Sequence, residues 1–437
     1  MATVKYGSLP SGYPLNFEAN PPLDFILGNS GDYHLEALTS TRATYEFDNG
    51  MSIRINGTGF TKGLDGDLDD TGTISSIQVF ASDGKTVLQT ITTTLKTEAF
   101  VNAVNAFDAQ GNLPKLAEWL FNKADTFTGT AGDDEMYGFG GDDIMNGGAG
   151  VDYIQGGEGK DTYDGGAGIG DQLSFQDAYF NANAYRGIAL DVTKGTVIDP
   201  WGNNETFKNF ESFRGSQFAD NMKGSAADEA FMGLGGKDVI DGGGGFDIVR
   251  YHRDVNRGGD KGVTVDLAKG YAIDGFGKTD TLLNIEGARG TQFKDTFTGS
   301  TANNTFWGDN GDDTFNGGLG NDILNGGAGK DTFIFNSVLN STKNVDQIQG
   351  YVVADDIIRL ENAIFTKLTG VNVLLTADQF VANTSGEATD TKDRIIYESD
   401  TGNIYYDADG STKTIAKVLF AHVDAGLKMT AGEFFIF

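Results

Sequence analysis

Between Gly129 and Asp164 the chain writes one nine-residue unit four times: GTAGDDEMY, GFGGDDIMN, GGAGVDYIQ and GGEGKDTYD, starting at Gly129, Gly138, Gly147 and Gly156. The register never slips, and Gly165 opens a fifth unit that fades. Places one and four are glycine, and place six is aspartate (Asp134, Asp143, Asp152, Asp161). Place eight is a large apolar or aromatic residue (Met136, Met145, Ile154, Tyr163). Nine residues cannot bury such a side chain alone, so the units must stack into a solenoid with the eighth-place residues inside.

The spacing also suggests chemistry. Glycines ahead of the aspartate let a tight turn adopt dihedrals that a Cβ would forbid and aim several carbonyl oxygens at one point. The aspartate adds a carboxylate there. Carbonyls plus carboxylate form a hard oxygen cage, which suits Ca²⁺ better than Mg²⁺ or a soft metal.

These residues resemble the haemolysin-type calcium-binding repeat of the RTX family. The resemblance implies a parallel β-roll in which turns alternate sides and each Ca²⁺ lies between turn n and turn n+2. It further implies carbonyls from places two and four of one turn, carbonyls from places one and three of the other, and both sixth-place acids. One site would then use Thr130, Gly132 and Asp134 with Gly147, Ala149 and Asp152. The next would use Phe139, Gly141 and Asp143 with Gly156, Glu158 and Asp161.

The nine-residue beat restarts at Gly215 and again at Gly290, 75 residues later, so a larger repeat contains the small one. Each block opens on the same phrase: KADTFTGTAGDD, FADNMKGSAADE and FKDTFTGSTANN. Carried onto these blocks, the resemblance implicates Asp220 with Gly233, Gly235 and Asp238, and then Gly242, Gly244 and Asp247. It also implicates Asp295 with Gly308 and Asn310, Gly317 with Leu319 and Asp322, and Asp309, Gly311 and Asp313 with Gly326, Ala328 and Asp331. The pairs Gly129/Gly147, Gly138/Gly156 and Gly308/Gly326 rank first. Units with Phe218, Ala227, Phe293 or Ala302 at place four are degenerate, Glu229 and Asn304 replace the place-six aspartate, and Gly170 loses it.

Between the blocks, GIALDVTKGTVID and GVTVDLAKGYAID form a matched pair that alternates like strands, and NFESFRG and NIEGARG lead into the next block. We expect one continuous β-solenoid at residues 123–336, with nonapeptide blocks at 123–170, 215–250 and 290–336 and longer coils between. A flexible Gly/Asp linker would have no need of large apolar residues at a fixed phase.

Before the solenoid, residues 1–122 read as a small α+β domain. Thr41 to Phe47 and Met51 to Asn56 flank the turn at Asp48-Asn49-Gly50, and a second hairpin turns at Asp83-Gly84. Phe100, Val101, Val104 and Phe107 fit a helical face, and Pro114 could open a helix carrying Leu116, Trp119 and Leu120, together a lid on the first coil. The acidic loop from Asp65 to Asp70 fails as an EF-hand, because Asp70 stands where Gly is required and Ser76 where Glu is; it reads as a solvated turn.

After the solenoid, residues 337–437 read as a β-rich cap with strands at Asp356 to Leu360, Arg394 to Tyr397, Asn403 to Tyr406 and Ile415 to His422. The ending Glu433-Phe-Phe-Ile-Phe437 resembles the uncleaved export signal of type I secreted RTX proteins. The fold class expected is therefore mainly β, a calcium roll between two flanking regions.

Composition narrows the partners. With 62 acidic against 32 basic residues, the formal charge of −30 argues against nucleic acid and anionic membranes and for cations. If about eight calcium sites fill, the charge moves to about −14, so metal should drive folding as well as ligate. No cysteine is available for disulfides or thiolate sites. No N-terminal signal peptide and no run of eighteen apolar residues is evident, so export would use an ABC-type channel.

An enzyme is not expected. The histidines are His34, His252 and His422, with no H-E-x-x-H and no G-x-S-x-G elbow. We expect a secreted calcium-binding protein, outside the cell or on its surface, with a structural, adhesive or matrix role that involves extracellular polysaccharide or self-association. The alternative is an effector acting on polysaccharide or host through residues 1–122 displayed on the roll.

Overall fold

The fold is that of a computed structural model that describes residues 3–6, 33–47, 50–62, 68, 71–97, 99–100, 120–179 and 181–437. The turn at Asp48-Asn49, the acidic loop, and the helices expected between 100 and 120 lie almost wholly outside these residues. Apart from residues 97, 99–100 and 120 and short 3-10 turns, the described residues form strands and their connections. No helix among them is long and apolar enough to cross a membrane. The chain divides into two compact units, Met1–Arg214 and Gly215–Phe437.

In the first unit the repeats fold as their period dictates. Each nonapeptide gives one three-residue strand whose middle, eighth-place residue is buried: Met136, Met145, Ile154 and Tyr163 are all within 1% of full burial. Strands pair in parallel with the next but one, so Met136 lies beside Ile154 and Met145 beside Tyr163. Two nonapeptides thus make one full coil of a two-sheet roll, with the eighth-place side chains of both sheets meeting inside.

An antiparallel meander precedes the roll. Its strands are Tyr33–Thr39, Arg42–Phe47, Ser52–Thr58, Thr73–Phe80 and Val87–Lys96. The strand Thr3–Tyr6 then runs antiparallel to Val87–Lys96 and parallel to Thr126–Thr128, the first strand of the roll. Of the two sheet edges at the first coil, that of Thr126–Thr128 is therefore occupied by the strand Thr3–Tyr6. An open parallel edge is a pairing hazard, and this strand removes it.

The long coil of this unit is an excursion. Ala189–Asp191, Thr196–Ile198 and Asn204–Lys208 form an antiparallel trio, and the third strand returns to the roll by pairing in parallel with Thr162–Asp164. In the second unit Thr264–Asp266, Tyr271–Ile273 and Thr279–Leu283 repeat that arrangement, rejoining at Val239–Asp241. The matched phrases of the sequence are thus hairpins that leave one sheet and come back.

The second unit buries a column of stacked rings. Phe297, Phe315 and Phe333 follow one another at centroid spacings of 5.1 and 5.3 Å with planes 12° apart. Parallel pairing continues past residue 336: Ile348 lies beside Leu324, and Ile358 beside Phe333. Phe434–Ile436 then adds to Ile357–Leu360, with Phe434 and Ile436 fully buried.

Candidate metal turns

The turns that join the strands fall into two kinds. In units opening Gly-Gly, Gly-Phe, Gly-Leu or Gly-Asp, places two and four have positive φ, as at Gly148 and Gly150 or Gly327 and Gly329, except in the fading unit at Gly165, where Gly166 does and Gly168 does not. Three place-two residues carry a side chain there, Phe139, Leu234 and Asp309, at φ between 65° and 69°. Such conformations cost a non-glycine residue of order 1–3 kcal/mol and persist only when the surroundings enforce them.

Place one is glycine for a different reason. A Cβ on Gly138 would stand 2.3 Å from the Asp143 Oδ2 and 2.4 Å from the carbonyl oxygen of Gly156. On Gly308 it would stand 2.1 Å from the Asp313 Oδ2 and 2.6 Å from the carbonyl oxygen of Gly326. The missing methyl leaves space where a carboxylate of turn n and a carbonyl of turn n+2 converge.

The acids form a ladder through the roll. The Asp134 N–H donates to the Asp152 carboxylate, Asp143 to Asp161, Asp220 to Asp238, Asp295 to Asp313, and Asp313 to Asp331, at 2.7 to 2.9 Å. Each carboxylate spends one oxygen this way. The second oxygen of Asp143, Asp152, Asp238, Asp247, Asp313 and Asp322 is buried with no hydrogen-bond partner.

A buried carboxylate oxygen without a partner is costly, and the acidities show it. Burial, then the charge of Asp161, pushes the Asp143 carboxyl up to about 9. Burial, with Asp295 and Asp331 nearby, pushes Asp313 up to about 8, and burial with Asp220 and Asp280 pushes Asp238 up to about 10. At Gly317 an added Cβ would meet both Asp322 Oδ2, at 2.3 Å, and Asp346 Oδ2, at 3.0 Å, so two carboxylates face one spot. Burial and the Asp322 charge hold Asp346 well above the usual carboxylate range. Positive charge is what these positions lack, and an oxygen-seeking cation fits the donor set. Among the described residues no three acidic or histidine side chains gather on one point, so carbonyls must complete any cage.

Units that open Gly-Ser or Gly-Thr behave otherwise. Asp134 accepts from the Thr130 N–H and hydroxyl, Asp220 from Ser216, Glu229 from Ser225, and Asp295 from Thr291. Asn304 accepts from Ser300 and donates its amide to the Glu286 carbonyl. None of their place-two or place-four residues has positive φ. They form a self-capped turn of another type, which sets the Gly129/Gly147 pair apart from Gly138/Gly156 and Gly308/Gly326: Thr130 donates twice to its Asp134.

Several of the implied carbonyls also accept a backbone hydrogen bond with one of their two lone pairs. Those of Thr130, Phe139 and Asp309 accept the N–H of Ala149, Glu158 and Ala328 at 2.8 to 3.0 Å. Those of Glu158 and Ala328 accept from Gly141 and Gly311. The N–H groups of Gly244 and Leu319 are likewise tied to Ser225 and Ser300. Gly147, Gly156 and Gly326 present their carbonyls over place one, while the Gly132, Gly141 and Gly311 carbonyls lie against the place-four Cα two turns on. Gly235 faces the Phe276 ring, and Asn310 bridges to Ala328. Gly233 and Gly242 leave room for the carboxylates of Asp238 and Asp247.

The acid at Gly170 is not lost. Asp171, one residue later, accepts from the Asp152 N–H at 2.7 Å, and the strand Gln172–Ser174 absorbs the extra residue. The period alone missed other rungs too: Glu205, Glu211, Asp280, Glu286, Asp346 and Asp356 accept from Asp161, Asp171, Asp238, Asp247, Asp322 and Asp331. The phrases NFESFRG and NIEGARG carried that signal in Glu211 and Glu286. A second ladder runs through place five, where Asp133, Asp142, Asp228 and Asp312 accept the N–H two turns on.

Comparison with known proteins agrees with this geometry. The family described as the RTX calcium-binding nonapeptide repeat (4 copies) matches residues 121–154, 137–170, 214–249, 289–324 and 315–337. No curated protein sequence matches the chain. Among solved structures, the extracellular lipase LipA from Serratia marcescens aligns over 92% of this chain and 85% of its own, at 12% identity and a TM-score of 0.18. A likeness that slight carries no argument about activity.

Proposed function

We propose that this chain, an RTX protein by its three repeat blocks, is secreted unfolded and folds on calcium outside the cell, where it serves a structural or adhesive role at the surface or in a matrix. The observation that carries the reading is the row of buried carboxylate oxygens without partners at Asp143, Asp152, Asp238, Asp247, Asp313 and Asp322. Calcium, when bound, supplies the positive charge that lets these groups stay ionised while buried. Asp143 and Asp161 with the Gly156 carbonyl would hold one ion, and Asp313 and Asp331 with the Gly326 carbonyl another. Asp322 with Asp346 would hold a third.

The rest of the reading is supported by charge and compartment. Extracellular calcium reaches the range in which modules of about 10⁻⁴ to 10⁻³ M affinity load, whereas cytosolic calcium does not. The segment Glu433 to Phe437 is folded against Ile357–Leu360, so an ABC-type channel would read it only before folding. The strand Thr3–Tyr6 pairs with both the meander and the first strand of the roll, which favours a meander that folds with its roll over a detached effector, and the reading assigns no catalytic role.

Far-UV circular dichroism during calcium titration tests it. The chain should gain β signal with calcium and not with equal magnesium, and Asp143→Ala and Asp313→Ala should each need more calcium. A signal independent of calcium, or unchanged midpoints in both variants, would overturn the reading.

A further inference from the structure

The second unit carries an outward row of side chains that the metal turns leave unused. In Ile248–Arg250, Gly287–Arg289, Thr305–Trp307 and Ile323–Asn325 the middle residue is buried and the third turns outward. Parallel register sets Arg250, Arg289, Trp307 and Asn325 side by side, and Gln349 follows. At about 4.8 Å between strands the row spans about 19 Å, enough for several linked sugar rings.

Trp307 is half-buried, and among the described residues its indole packs on no other ring. It lies in a groove of about 540 Å³ lined also by Arg289, Gln292, Asp309, Asn310 and Asn325. A flat aromatic face with amides, a carboxylate and a guanidinium around it offers a surface for the C–H face of a sugar and partners for its hydroxyls.

The charge of the row is the telling feature. In a chain of net charge −30, two guanidinium groups stand in neighbouring register. Arg289 meets Asp309 at 2.8 Å, while Arg250 forms no ion pair among the described residues. Like charges side by side on one sheet face destabilise it; Asp309 already offsets Arg289, so a ligand carboxylate presented to the Arg250 guanidinium fork relieves what cost remains. An uncharged ligand would leave the pair as it stands.

We propose that this groove, together with Arg250 on the strand beside it, binds an acidic glycan, with a sugar ring against the Trp307 indole and uronate carboxylates at Arg250 and Arg289. The inference adds a ligand class to the adhesive role proposed above and rests on that reading for its biological setting only. Full-length protein in saturating calcium is titrated with tetragalacturonate and with neutral cellotetraose, read by calorimetry and tryptophan fluorescence. Circular dichroism confirms first that each variant folds with calcium as the wild type does, which separates failure of the groove from failure of the calcium reading.

Tetragalacturonate should bind and shift the fluorescence, and cellotetraose should bind about tenfold or more weakly. Trp307→Ala should weaken tetragalacturonate about tenfold or more, and Arg250→Gln should weaken it several-fold while reducing its salt dependence. If Trp307→Ala does not reach the wild-type fold, Arg250→Gln, at the half-buried end of its strand, decides. No binding, equal binding of the two sugars, or wild-type affinity in folded Trp307→Ala or in Arg250→Gln would overturn the proposal.

Discussion

A methyl group added at Gly138 and a methyl group added at Gly132 carry opposite expectations. At Gly138 the new Cβ would displace the Asp143 carboxylate and press on the Gly156 carbonyl, both within 2.4 Å. At Gly132 it would meet nothing nearer than the Thr130 hydroxyl at 3.8 Å, and Gly132 is not among the positive-φ residues. Gly138→Ala should therefore raise the calcium needed for folding by about tenfold or more, while Gly132→Ala should stay within about 0.5 kcal/mol of wild type. Calcium titrations of the two variants side by side check this, and equal midpoints would refute it. The place-six acids and place-one glycines were legible because the repeat prints them at a fixed phase. The Ser/Thr turn was legible as well, in the residue after the first glycine, yet reading those units as worn copies hid it. Asp171 was missed because a count of nine cannot see a one-residue bulge.

Eighth-place side chains decide how the strands stack. Phe315 sits between Phe297 and Phe333 in near-parallel stacking and is fully buried, so Phe315→Ala removes ring contacts on both sides and leaves a cavity. It should cost about 3–5 kcal/mol in calcium-loaded protein, measured by urea denaturation; Phe315→Leu should recover part of that, and a loss under about 1 kcal/mol would mean the column collapses to fill the space. That the eighth place faces inward followed from the sequence, because one apolar residue per nine has no other use. The strand Thr3–Tyr6 did not follow: it pairs with residues more than eighty and more than one hundred and twenty positions on, and local patterns carry no register over such distances. The long coils were legible as strands, but not as trios that return to the sheet they left, for the same reason.

For the molecule as a whole, protons and calcium compete for the same carboxylates, which fixes the sign of its pH dependence. Without metal, burial holds Asp143 at about 9, Asp313 at about 8, and Asp152, Asp247 and Asp322 each at about 7, all from an ordinary 3.8. The folded roll then binds more protons than the unfolded chain between about pH 4 and 9, so its stability falls as pH rises through that window. A calcium-free sample moved from pH 8.5 to pH 5 should therefore gain β signal in far-UV circular dichroism. With calcium bound the order inverts: the folded state holds these groups ionised, the unfolded state takes up protons first, and stability is lost as pH falls toward 4 and below. The two titrations should thus slope in opposite directions over their acidic limbs. A calcium-free chain that unfolds further on acidification to pH 5 would show that the buried carboxylates do not govern the fold.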